Sequence, residues 1–291
     1  MDSCVIQNLF LRAQIKALGA ELCSLQTVGG VDLLWDGDPA VWPRHAPHLF
    51  PVVGRLQGDR LRHQGRDYPM SPHGFARGMA FRMVRLTRED CTLVLKDDET
   101  TRAMYPFAFE LRINLALDGP SLRVVYELIN PGKEPLPASL GAHPAFRWPL
   151  LAGTPREDHI LRFDLPETAP IRRQNGGLLD PAPHPSPVED RTLWLKDALF
   201  LADVLIFDQV KSRKVQFGVP GAPALEVAWE GFEQLGIWTK PGAGFLCIEP
   251  WRGLPSPADF TGEFQEKPGI MLIPPGGRRY FRYSATVIPE L

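Results

Sequence analysis

What the chain lacks excludes several classes at once. No apolar run reaches membrane-spanning length: the longest charge-free stretch, Pro135 to Phe146, is broken by Pro135, Pro137 and Pro144, so no transmembrane helix is expected. There is no charge excess. With 32 Lys and Arg against 34 Asp and Glu, the net charge is −2, which leaves no electrostatic footprint for nucleic acid or an anionic membrane. The four cysteines, Cys4, Cys23, Cys91 and Cys247, are far apart and show no CxxC spacing. They read as buried, reduced thiols, as in a cytoplasmic protein. The start "MDSCVIQNLFLR" has no basic region before an apolar core and no small-residue cleavage site, so no signal peptide is expected. No Asn-x-Ser/Thr site occurs either.

Chemical motifs are equally scarce. The sequence has no GxxxxGK[ST] phosphate loop, GxGxxG turn, GxSxG elbow or HExxH helix. His45 and His48 are the only close histidine pair. Spaced i, i+3 with no helix or carboxylate beside them, they read as pocket-wall or surface histidines rather than metal ligands. His63, His159 and His184 sit among charges or prolines and read as solvated. No metal site is expected.

What the chain has is alternation. In "FAFELRINLAL" the apolar residues Phe107, Phe109, Leu111, Ile113, Leu115 and Leu117 fall on one face, and Glu110, Arg112 and Asn114 on the other. "SLRVVYEL" follows the turn signal "DGP", which predicts a hairpin. "MAFRMVRL" and "CTLVLKD" form a second pair around "TRED". Further strands are expected in "DVLIFDQV", "KVQFGV", "LEVAWEG", "LGIWTK", "FLCIEP", "IMLIPP" and "RYFRYSATVI". Their spacing and the 30 prolines and 26 glycines predict a sandwich or barrel with many turns. No long amphipathic segment is capped at both ends. Residues 165–187 read as one long loop on a single domain covering 1–291.

Four stretches offer chemistry. His73 lies in "SPHGFARGMAF" and His143 in "SLGAHPAF", both where strands give way to ordered loops. In "FLCIEPWRG" a strand of buried type runs directly into Glu249, and a carboxylate there is costly unless paired or used. A salt bridge to Arg252 is the plain structural alternative. Arg55 follows an apolar run and a glycine in "LFPVVGRLQGDRL".

In order, "LFPVVGRL", "HGFAR", "GAHPAF", "LADVLIF" and "CIEPW" resemble the aldose 1-epimerase (galactose mutarotase) superfamily, in particular its LacX-like branch. "LGAELCSLQTVGGVDLLWDGDPAVWPRHAP" is similar to the same branch, so the resemblance spans nearly the whole chain, residues 151 to 195 least. It implies an all-β fold, a large single-domain β-sandwich with a sugar in an open cleft. It further implies Glu249 as general base and His143 as general acid, with His73, Arg55 and Asp203 holding the sugar hydroxyls. No metal or organic cofactor is implied, and the partner is a small-molecule sugar. Such chemistry needs only a carboxylate and an imidazolium on opposite sides of one small molecule.

Three rivals follow. A hexose 6-phosphate substrate would need clustered arginines, and Arg77, Arg147 and Arg252 lie near the motifs. A sugar-binding module without turnover keeps the fold but not the catalysis. A metal-dependent cupin requires an HxH pair that the sequence lacks. The sugar and the oligomeric state are not specified by the sequence.

Overall fold

Every long strand pairs antiparallel with its neighbours, in a computed structural model that describes residues 2–291. The larger sheet has nine strands, in the order Thr192–Trp194, Ile160–Phe163, Lys214–Gly218, Ala224–Glu230, Arg278–Ile288, Ser121–Ile129, Glu110–Asp118, Asp90–Lys96 and Arg82–Leu86. The smaller has Leu205–Phe207, Gln234–Trp238, Phe245–Arg252, Leu140–Ala142 and His48–Leu49 in line. Ala145–Arg147 also pairs with Phe245–Arg252. Inward residues of both sheets, among them Ile113, Val124 and Tyr283 from the first and Ile237, Leu246 and Ile248 from the second, share one buried cluster. This is an all-β sandwich, and each such aliphatic side chain contributes about 1.5–3 kcal/mol of burial.

The expected hairpins form where the period-2 patterns lie. Glu110–Asp118 pairs with Ser121–Ile129 across the Gly119–Pro120 turn, and Arg82–Leu86 pairs with Asp90–Lys96. Among the described residues α-helix is confined to Glu99–Arg102, one turn held by a capping box between Asp98 and Thr101. None of their helices is long and apolar enough to cross a membrane.

Three expectations need correction. Residues 165–187 are not merely a loop: Gln174–Asn175 and Leu178–Leu179 form a small hairpin. Gly176 and Gly177 both sit at positive φ, 59° and 85°, as a two-residue hairpin turn requires. Backbone bonds between Arg172 and Ile206 tie the segment to the smaller sheet. His48 is core, its ring bonded to the Tyr126 hydroxyl at 2.8 Å and the Ala20 carbonyl at 3.1 Å. His159 is fully buried rather than solvated, because its ring accepts the Leu150 N–H and meets the Pro155 carbonyl. Cys4, Cys91 and Cys247 are buried free thiols and Cys23 is partly exposed.

Candidate active site

The strand Phe245–Arg252 places the central carboxylate by alternation. Leu246 and Ile248 turn into the main core, Phe245 and Cys247 pack with Trp35 and Ala145, and Glu249 and Trp251 reach the cleft. The opposing chain pairs Gly141 with Trp251 and Ala145 with Cys247. These pairs keep a single register, so His143 falls directly across from Glu249. Pro144 cannot donate to the ladder, and the short break it makes leaves the imidazole facing the carboxylate. His143 Nε2 lies 3.3 Å from Glu249 Oε2.

Trp251 completes this layer. Its indole N–H donates to Glu249 Oε2 at 3.2 Å. It lies flat across Gly236, where a Cβ would stand 2.6 Å from the indole ring. Gly236 is therefore required for the close approach. Trp42 stacks on the His143 ring with centroids 5.2 Å apart, and Trp238 meets the same ring edge-on at 5.8 Å.

His73 comes from the loop after Arg66–Pro69. It holds φ +64°, a left-handed conformation unusual for a side-chain-bearing residue. It is fixed by its N–H to the Gly54 carbonyl (2.7 Å), and its Nδ1 accepts the Gly54 N–H at 3.3 Å. That bond puts the proton of the neutral ring on Nε2. Gly74 beside it cannot be replaced, since a Cβ would stand 2.1 Å from the Phe50 carbonyl oxygen. The His73 and His143 rings are 5.7 Å apart.

Asp203 also sits at positive φ, +65°. Its carboxylate accepts its neighbour Val204's N–H at 2.9 Å and the Gln174 side-chain amide at 2.6 Å. With Arg77 and Val204, these groups line a cleft of about 290 Å³ formed by Trp42, His73, His143, Gln174, Asp203, Trp238, Glu249 and Trp251. A larger depression of about 450 Å³ on the larger sheet is lined by Trp229, Tyr283 and an Arg282–Glu230 ion pair. It holds no carboxylate–imidazole pair.

Burial governs the ionisation of the cleft. It raises the Glu249 carboxyl well above its usual range, with the Asp203 charge adding to the effect and the Trp251 bond opposing it. It lowers His143 well below the usual imidazole value, assisted by His73. His73 is pushed to about 3 by burial and by the Arg77 and Arg44 charges. Arg77, mostly buried and bonded to the Pro72 carbonyl, is lowered to about 10. Burial disfavours the charged form of each, and at 3.3 Å His143 and Glu249 are close enough to exchange a proton.

Four of the five residues singled out from the sequence meet here: Glu249, His143, His73 and Asp203. Arg55 does not line the cleft. Its guanidinium is taken by Asp59, at 2.7 and 2.6 Å, and by the Gly176 carbonyl at 3.1 Å. It braces the hairpin that carries Gln174 instead. His143 and Glu249 stand side by side, where an acid and a base on opposite sides of a ligand were expected. Glu249 makes no salt bridge to Arg252, which pairs with Glu233. Of the three arginines considered for a phosphate, only Arg77 lines the cleft; Arg147 faces Asp32 and Asp36. Gln174, Trp42 and Trp238 were missed by sequence reasoning. Only Trp251, adjoining the Glu-Pro step, carried a signal.

The comparisons with known proteins agree on kinship. The family model for aldose 1-epimerase matches residues 2–269. The chromosomal protein LacX of Lactococcus lactis is 31% identical over 97% of this chain and 98% of its own length. The galactose mutarotase related enzyme of Lactobacillus acidophilus superposes with a TM-score of 0.92 at 30% identity, covering 99% of this chain and 98% of that one. A galactose mutarotase-like protein from Lactobacillus casei has the same TM-score at 27% identity, covering 98% and 100%.

Proposed function

Because the chain belongs to the aldose 1-epimerase family, in its LacX-like branch, we propose that it is an isomerase interconverting the α and β anomers of a hexose. The observation that carries this reading is the cross-strand pair His143–Glu249, 3.3 Å apart in a cleft of sugar size. Ring opening removes a proton from the C1 hydroxyl and adds one to the ring oxygen. Both oxygens are bonded to C1, so an acid and a base standing side by side suit them.

Glu249 takes the hydroxyl proton as His143 protonates the ring oxygen, and the bond from C1 to the ring oxygen breaks. The aldehyde end then rotates about C1–C2. The reversed transfers close the ring on the other face. Opening leaves a neutral carboxylic acid beside a neutral imidazole, the state that burial of the pair favours. The site is thus suited to the open-chain intermediate. His73 Nε2–H, Arg77, Gln174 and Asp203 offer donors and acceptors to the remaining hydroxyls. Trp42, Trp238 and Trp251 give the sugar's C–H faces apolar walls.

A hexose without phosphate is favoured, because Arg147 and Arg252 are committed to carboxylates outside the cleft. The test is polarimetry of freshly dissolved α-anomers of several hexoses. Glu249→Gln keeps the shape but cannot take a proton near neutrality. The rate should fall by roughly 10²-fold or more, while sugar affinity by calorimetry changes little. A folded Glu249→Gln variant as active as the parent would remove Glu249 as the base, and a parent that mutarotates no hexose would leave a sugar-binding protein without turnover.

A further inference from the structure

Directly beside the acid–base pair lies a third group that the proposed reaction does not use. Cys247 is two residues before Glu249 on the same strand, so both side chains leave the same face. His143 stands across from Glu249 and diagonally from Cys247. One donor atom from each residue lies within 4.8 Å of the other two, and all three residues are buried. In addition, His143 Nδ1 is buried with no hydrogen-bond partner.

A thiolate, an imidazole and a carboxylate with one side open to a cleft are the donor set of a zinc ion. Ligand bonds of about 2.0–2.3 Å in a tetrahedral arrangement put the donors at separations that the 3.3 Å His143–Glu249 contact already meets. Cys247 has only a short approach to make. Charge also balances. Binding Zn²⁺ displaces the thiol proton and the proton of the His143–Glu249 pair, leaving two negative ligands and one neutral one around a dipositive ion. A buried site with that balance leaves no net charge stranded.

We propose that His143, Cys247 and Glu249 form a zinc-binding site that arrests the enzyme, the metal occupying the acid and base in competition with the sugar. The inhibitory consequence rests on the function proposed above; the binding does not. Arg77 has no lone pair to offer, and His73, its ring centroid 5.7 Å from that of His143, falls outside the trio of donors within 4.8 Å of one another, so the fourth position is left to water.

The test uses Co²⁺ as a spectroscopic substitute for zinc in the full chain, together with zinc titration of the polarimetric rate. Cobalt should give a near-ultraviolet thiolate charge-transfer band that zinc abolishes at one equivalent. Cys247→Ser should lose the band and bind zinc at least about tenfold more weakly, the least that even an outer-shell loss costs a metal site. Cys23→Ser, at the partly exposed thiol, should keep the band. Should Cys247→Ser fail to fold, Glu249→Gln serves instead, and zinc must bind it at least about tenfold more weakly. No band in the parent, or a band that depends on Cys23, overturns the site. A band with no mutarotation of any hexose leaves the metal site standing and sinks the proposed function. Full mutarotation that zinc at saturation of the band does not slow sinks the inhibition.

Discussion

The molecule contains two buried glutamates beside histidines, and they have opposite characters. Glu21 approaches the His45 ring at 3.8 Å, and its Oε1 also accepts the backbone N–H groups of His45 (2.7 Å) and Ala46 (3.2 Å). The His45 ring and those bonds together outweigh burial, and the carboxyl is held below its usual range. Glu249 approaches His143 at 3.3 Å but receives only the Trp251 indole, and burial raises it. The same residue pairing is structural in one place and, in the function we propose, reactive in the other. The difference is the number of N–H donors aimed at the carboxylate.

Glu21 secures the loop that brings Trp42 over His143, so the structural pair supports the reactive one. The sharpest way to break the comparison is to remove each carboxylate. Glu21→Ala leaves two backbone N–H groups without an acceptor and should cost on the order of 3 kcal/mol, read from denaturant melts. Glu249→Gln removes a carboxyl whose charged form burial disfavours, and its midpoint should be no lower than the parent's. Equal destabilisation of the two variants would erase the distinction.

The pH dependence sharpens it further. Glu21 has a lowered value in the fold, so its contribution is complete above the unfolded value of about 4.5 and is lost as pH falls below it. Glu249 has a raised value, so the folded state binds the extra proton. Stability from this group is complete below about 4.5 and declines as pH rises toward the folded value. Melting parent and variants from pH 3 to 9 should therefore give a Glu21 difference that grows with pH up to about 4.5 and a Glu249 difference that changes in the opposite direction above it. Parallel slopes would contradict the assignment.

A smaller effect is expected at the sugar-holding wall. His73→Ala removes one hydrogen-bond donor and should weaken sugar affinity by about 1 kcal/mol, roughly fivefold. Calorimetry that shows no change would remove His73 from the binding wall. The smallest effect should come from Arg55→Ala. It reaches toward the cleft only through the Gly176 carbonyl, and the ion pair with Asp59 is half exposed and screened by solvent. A loss of sugar affinity equal to that of His73→Ala would show that Arg55 turns into the cleft when sugar binds.

Much of this was legible in the residues themselves. Strand positions followed from alternation because a half-buried strand repeats every two residues whatever lies across it. The exposed hairpin at Gly176–Gly177 was announced by "NGG" but submerged in a stretch rich in proline. Glu249, His143 and His73 could be picked out because their residue types sit at strand ends and loops, which are local features, whereas Asp203 came only from the family resemblance of "LADVLIF". The partner of each came from the packing of distant strands. The register that sets His143 against Glu249, and Cys247 beside them, is a property of two distant strands. Asp59 and Gly176 draw Arg55 out of the cleft, and the His45 ring with two backbone N–H groups holds the Glu21 carboxyl below its usual range while burial raises that of Glu249. Ionisation and hydrogen bonding depend on what stands within a few ångströms, and in a β-sandwich those neighbours come from strands far apart in sequence.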